Sequence, residues 1–334
     1  MKIAIVGLGA IGGLLAARLA RSGHDVSAIA RGRTLAAVTK SGLGVCPVGQ
    51  PERIDHRVRI NVSDNPDELG LQDLVILCVK SQSALEVLPA IKALMGPETR
   101  LLSAMNGVPW WFFQGLSPEF SSIELPAIDP DRTLLKQLPA ERIIGSVTYL
   151  SATTPDSGVV CPIADKRIII GEAIGGHSAA LERVDDALTS AGFEVERSRC
   201  IQKSIWYKLW GNMTMNPVSA ITGATGDRIL GDEAVRAFLS RAMEEAAAIG
   251  QRIGLPIDED PESRHELTLQ LGAFKTSMLQ DAEAGKSLEL DALVGAVLDI
   301  ARATGMDAPN IEALFGLTRL FGQTHGLYPS PVGR

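Results

Sequence analysis

The sequence predicts an α/β protein in which an N-terminal doubly wound sheet is followed by an all-α domain. Three observations carry that reading. A strand-length apolar run at the start feeds directly into a glycine-spaced turn and an apolar helix, strand and helix patterns alternate up to about residue 200, and residues from 201 onward show helical periodicity only. The 334 residues, 46% hydrophobic and 21% charged, exceed what one ordinary core accommodates. Two domains are therefore expected, residues 1–200 and 201–334.

The first element is "KIAIV", residues 2–6, a buried parallel strand. It is followed by "GLGAIG", Gly7, Leu8, Gly9, Ala10, Ile11 and Gly12, and then by the apolar helix "LLAARLARSG" ending at Gly23. A G-x-G-x-x-G run between a strand and a helix is the Rossmann-type dinucleotide-binding turn. Gly7 allows the tight turn, Gly9 lets backbone approach a pyrophosphate, and Gly12 permits close helix packing, while the helix N-terminus presents amide hydrogens and a positive dipole. Glycines at these spacings also argue against reading the opening residues as a leader peptide.

The second strand is "DVSAIA", and the residue at its carboxyl end selects the nucleotide. An acid there would hold the ribose 2′-hydroxyl of NAD. The chain instead places Arg31 and Arg33 in "ARGR", so NADP(H) is expected, the alternative for both arginines being a solvated loop. Asp25 opens the strand and lies about 17 Å from the relevant end.

Further strands are expected at "RVRINV" (57–62), "LVILCV" (74–79) and "RLLSAM" (100–105), with the helix "SALEVLPAIKALM" between the last two. Ligands of such sheets lie outside the carboxyl ends of the strands, where Lys80 in "VKSQ" and Asn106 in "MNG" stand. Both are read as cofactor or substrate contacts. "RIIGSVTYL", "GVVCP" and "RIIIGE" should complete the sheet with antiparallel members, before an amphipathic helix and a last short strand ending near residue 200.

A net charge of −7 without a long basic run points away from nucleic acid and anionic membranes and toward small molecules. Cys46, Cys78, Cys161 and Cys200 are widely separated and form no zinc spacing with the histidines. Free thiols in a cytoplasmic protein and no bound metal are expected. No stretch reaches the roughly 20 apolar residues of a membrane span.

In the second half, "KLWGNMTMNP" (208–217) sets Lys208, Asn212 and Asn216 four residues apart, on one face of an otherwise apolar helix. Pro217 should end or kink that helix just after Asn216. "EAVRAFLSRAMEEAAAIGQRIG" reads as one long helix. In "SMLQDAEAGKSLELD" (277–291), Ser277 and Asp281 are one turn apart, Gly285 interrupts, and Ser287 is positioned to cap a new helix with Glu289 in its first turn. On its own Glu289 is an ordinary first-turn charge.

Five motifs in order, "GLGAIG", "VK" at 79–80, "NG" at 106–107, K-x-x-x-N-x-x-x-N at 208–216, and "SMxxD" with a glutamate twelve residues after its serine, resemble the ketopantoate reductase (2-dehydropantoate 2-reductase) family over nearly the whole chain. The resemblance implies NADPH-dependent reduction of 2-dehydropantoate to pantoate, on the route to pantothenate and coenzyme A. It implies that Lys208 is the general acid, that Asn212 and Asn216 hold substrate hydroxyl and carbonyl groups, that Ser277 binds carboxylate and that Glu289 orients substrate. Asn106 would lie beside the nicotinamide and Lys80 near cofactor and substrate, the polar face looking onto a 2-oxoacid held between the domains. The chemistry agrees: a nearby ammonium stabilises the charge that builds on a ketone oxygen during reduction, and partial desolvation lowers its pKa toward the working range.

Two features depart from the family pattern. "PWWFFQGL" holds four of the chain's fifteen aromatic residues, Trp110 to Phe113, and opens a long stretch to Pro139. It reads either as packing between domains or subunits, or as a hydrophobic lid that would admit a bulkier 2-oxoacid. A further asparagine downstream of Asn216 is also missing, only Thr222, Thr225 and Asp227 standing in its region. Alternatives are thus a related NADP-dependent enzyme for a different, bulkier 2-oxo or 2-hydroxy acid, or a non-catalytic NADPH-binding sensor. The second-half helices and the aromatic run are compatible with a homodimer without fixing the oligomeric state.

Overall fold

The structure, a computed structural model, describes residues 1–164 and 166–330. It divides into two compact units, one of residues 1–105 and 134–204, the other of residues 106–133 and 205–334.

The first unit is built on strands β1 (Lys2–Val6), β2 (Asp25–Ile29), β3 (Leu43–Val45), β4 (His56–Val58), β5 (Asn61–Ser63), β6 (Gln72–Leu77), β7 (Met95–Ser103), β8 (Ile143–Thr148), β9 (Ser151–Asp156), β10 (Val159–Ala164), β11 (Arg167–Glu172) and β12 (Glu194–Arg197). Eight of them form one sheet in the order β12-β11-β8-β7-β6-β1-β2-β5. From β5 to β8 neighbouring strands are parallel, β11 runs antiparallel to β8, and β12 is parallel to β11. The helices are α1 (Ala10–Arg21), α2 (Gly32–Ser41), α3 (Ala84–Leu94), the short α4 (Thr133–Gln137) and α5 (Ala179–Ser190). Ile3, Ile5, Leu74 and Ile76 are fully buried, as expected of parallel strands covered on both faces. The register sets Val6 beside both Ile29 and Leu77, so the turns after β1, β2 and β6 leave one sheet edge together.

Three expectations about strands are corrected. "RIIGSVTYL" joins the main sheet through β8, which runs parallel to β7 rather than antiparallel. "RVRINV" is not one strand: His56–Val58 pairs with β3, while Asn61–Ser63 joins the main sheet beside β2. "GVVCP" does not complete the main sheet but lies in a separate four-stranded sheet of order β4-β3-β10-β9. The reason is α1, whose Gly12–Ala17 segment and Leu19 are all buried. A helix apolar all round needs cover on its far side, and Leu14, Leu43, Val45 and Val160 share one core with the main sheet.

Among the described residues of the second unit only helical elements occur. They are two 3-10 turns (Phe112–Gly115 and Pro118–Phe120), α6 (Ile201–Thr222, which starts in the first unit), α7 (Gly226–Gly231), α8 (Glu233–Arg252), α9 (Pro261–Leu269), α10 (Ser277–Glu283), a π-turn (Asp291–Gly295), α11 (Ala296–Thr304) and α12 (Pro309–Thr324). Pro217 does not end α6, which continues to Thr222; losing one internal N–H is tolerated in a helix enclosed by packing. Residues 106–133, expected with the first domain, belong to the second unit. Trp111 and Phe112 are fully buried there, and Phe112 lies 6.0 Å from the Trp206 ring, centroid to centroid. Large aromatic side chains take the segment to the core that covers them.

Candidate active site

The glycine turn is shaped by contact. Gly7 has φ +101°, and a Cβ there would lie 2.8 Å from Val79 Cγ1; a Cβ on Gly12 would overlap the Gly7 carbonyl oxygen. Gly9, by contrast, faces open space. It is also the N-cap of α1 and offers no side chain, so no side chain caps the first amides of α1. A cavity of about 250 Å³ at the start of the turn is lined by residues including Gly7, Leu8, Ala30, Arg31, Thr34 and Glu86. Arg31, the N-cap residue of α2, pairs through Nη1 with Glu86 Oε1, whereas the exposed Arg33 is outside the lining. Half-buried Lys80 follows β6 and caps the 3-10 turn Ser81–Ser83. A larger cavity of about 650 Å³ opens at the opposite edge, beside Lys2, Gln72, Asp73 and Thr99, and holds none of the motif residues.

The open space at Gly9, the uncapped amides and the arginine at the end of β2 together fit a dinucleotide bearing a 2′-phosphate.

In the second unit, Lys208 is half-buried on α6 and its Nζ donates to Asn106 Oδ1 at 3.1 Å. Burial lowers its pKa from 10.5 to about 8, and the charge of Glu289 opposes that shift. The remaining geometry locks these three groups. Val108 N donates to the Ala292 carbonyl at 2.9 Å, which fastens the Asn106 loop to the π-turn. Gly107, at φ +81°, is needed there because a Cβ would overlap the same carbonyl oxygen. Tyr328 donates its hydroxyl to Asp291 Oδ1 at 2.7 Å on the other side of the turn. Glu289 is just outside the helix rather than in its first turn: its own carbonyl accepts from Leu293 N at 3.3 Å. The helix opens as a π-turn, a rare form often found at functional sites.

Asn212 and Asn216 follow Lys208 along the unbroken α6, the first half-buried and the second 6% exposed. Neither side-chain amide has a hydrogen-bond partner among the described residues. Ser277 is the exposed first residue of α10, capped by Thr276, and makes no hydrogen bond to Lys208, Asn106 or Glu289. Sequence reasoning missed Glu86, Asp291 and Tyr328. A glutamate in a helix's first turn and a tyrosine 37 residues from its acid carry no local signal.

Residues 3–175 match the family described as ketopantoate reductase PanE/ApbA, and residues 200–321 its C-terminal part. A 2-dehydropantoate 2-reductase of Mesorhizobium japonicum is 36% identical over 98% of this chain and 100% of its own length. Among solved structures, one described as a ketopantoate reductase from Ralstonia solanacearum MolK2 superposes with a TM-score of 0.92 at 44% identity, covering 98% of this chain and 99% of that one. A 2-dehydropantoate 2-reductase from Geobacter metallireducens GS-15 gives 0.84 at 26% identity, covering 96% and 100%. With two family matches that together span most of its length, the chain belongs to the ketopantoate reductase family.

Proposed function

We propose that the protein reduces 2-dehydropantoate to pantoate with NADPH, and that Lys208 delivers the proton. The observation that carries the reading is the Lys208–Asn106 hydrogen bond of 3.1 Å, on a lysine whose pKa burial has brought to about 8. A general acid works best when its pKa lies near the operating pH.

NADPH, when bound, supplies the hydride for the carbonyl carbon. The residues of the glycine turn, Gly7 to Gly12, hold its pyrophosphate, Arg31 takes the 2′-phosphate, and Lys80 contacts the cofactor or substrate. The Lys208 ammonium donates to the carbonyl oxygen, stabilises the negative charge that grows there and gives up its proton. Asn106 aims the ammonium by accepting one of its hydrogens. The Glu289 charge favours the protonated amine and so keeps the acid loaded at neutral pH. Asn212 and Asn216, whose amides have no hydrogen-bond partner among the described residues, offer both donors and acceptors to the substrate's hydroxyl and carbonyl groups, and Ser277 adds a hydroxyl for the carboxylate.

The aromatic run gives no support to a bulkier substrate. Trp110, Trp111, Phe112 and Phe113 are 5%, 1%, 0% and 2% exposed, so their rings leave little surface for a lid. No helix among the described residues is long and apolar enough to cross a membrane. We place the reaction in the cytoplasm, consistent with four free thiols, and propose a homodimer, to be checked by sedimentation.

The test is NADPH consumption by the purified protein with 2-dehydropantoate and a panel of other 2-oxoacids. Turnover of 2-dehydropantoate should exceed that of the others; a preference for a different acid would overturn the substrate assignment.

A further inference from the structure

The cavity beside the glycine turn carries one positive and one negative side chain, and they are paired with each other. Arg31 Nη1 meets Glu86 Oε1, with 60% and 61% of the respective side chains exposed. Both residues line the same 250 Å³ space, together with Gly7, Ala30 and Thr34. Glu86 reaches it from the first turn of α3. The guanidinium that the proposed function assigns to a 2′-phosphate is therefore already neutralised by a carboxylate of the same chain.

We propose that Glu86 is a specificity-determining residue that limits the preference for NADPH over NADH by competing with the 2′-phosphate for Arg31. This rests on the cofactor reading above. A 2′-phosphate brings close to two negative charges to the cavity. It must draw Arg31 from Glu86 and then sit near an ionised carboxylate, and both steps weaken binding. A ribose 2′-hydroxyl leaves the pair intact and is free to donate to Glu86. Because both side chains are largely exposed, water screens the effect and keeps it moderate. A guanidinium has donors enough to serve two acceptors, so Glu86 attenuates the preference without reversing it.

The experiment is a titration of the substrate-free protein with NADPH and with NADH, by nucleotide fluorescence or calorimetry, for wild type, Glu86→Gln, Arg31→Ala and the double variant Arg31→Ala/Glu86→Gln. Glu86→Gln is near-isosteric at an exposed position and should fold normally. It should tighten NADPH by about three- to tenfold and leave NADH unchanged or weaker, a gain of the size expected from releasing one exposed ion pair and one like-charge contact. Measured against Arg31→Ala alone, the double variant should show a smaller gain, because only the like-charge contact is then removed. If Glu86→Gln leaves NADPH affinity unchanged, lowers it, or tightens both nucleotides equally, the carboxylate does not compete and the proposal is overturned while the cofactor reading stands. A wild-type protein that binds neither nucleotide would overturn the cofactor reading, and this proposal with it.

Discussion

The amide of Val108 donates to the carbonyl of Ala292 at 2.9 Å, and this bond ties the loop that carries Asn106 to the π-turn that follows Glu289. Two groups far apart in the chain are thereby presented to Lys208 on one rigid support. Gly107 makes the contact feasible. Replacing Gly107 with alanine puts a side chain at φ +81° and against that carbonyl, at a cost of about 1–3 kcal/mol. The variant should lose turnover with 2-dehydropantoate while its NADPH dissociation constant, measured by fluorescence, changes little.

Lys208→Ala should lower kcat by about a hundredfold or more, as for loss of a general acid, with NADPH affinity nearly intact. Steady-state kinetics beside a nucleotide titration checks both halves. Wild-type turnover in the variant would remove the proton-donor role.

The lowered pKa of Lys208 has a defined sign in both activity and stability. Reduction requires the protonated amine, so kcat/KM should fall as pH rises through about 8, and oxidation of pantoate should gain over the same range. Glu289 raises that pKa, so Glu289→Gln should move the descending limb to lower pH. For folding of the free protein, the native state releases this proton near 8 and the unfolded chain near 10.5. Between those values the unfolded state binds more protons, and the lysine's contribution to stability increases with pH. Denaturant melts of wild type and Lys208→Met across this window should differ in slope, the wild type gaining more.

Asn216→Ala tests whether the unpartnered amide serves substrate. Since it has no side-chain hydrogen bond to lose among the described residues, stability should change by less than about 1 kcal/mol. The KM for 2-dehydropantoate should rise by about tenfold, the worth of one to two hydrogen bonds. A large drop in melting temperature with unchanged KM would make Asn216 a structural residue instead.

Tyr328→Phe removes the donor to Asp291, whose own pKa burial raises. The ionised carboxylate suffers from that loss far more than the protonated one. The variant should be less stable by about 1–3 kcal/mol at pH 8, and the deficit should shrink as pH falls and Asp291 takes up a proton. Thermal melts at a series of pH values from 8 downward check this; a deficit that stays constant throughout would exclude the linkage.

Local patterns already contained much of this molecule. Strand, glycine spacing and helix between residues 2 and 23 form a contiguous unit whose geometry follows from neighbours in the chain, so the strand, turn and helix there were legible directly. The helical period likewise put Lys208, Asn212 and Asn216 on one face without reference to anything else. Tertiary structure alone decided where the aromatic run packs, that 56–58 and 61–63 separate into two sheets, and that Pro217 is carried inside a helix. It also decided which partners Lys208 and Arg31 meet, Asn106 being 102 residues away from the first and Glu86 55 from the second. The division has one physical cause. Backbone propensity and side-chain periodicity act over a few residues, whereas desolvation, charge pairing and close contact are properties of surfaces that exist only once distant segments have been packed together.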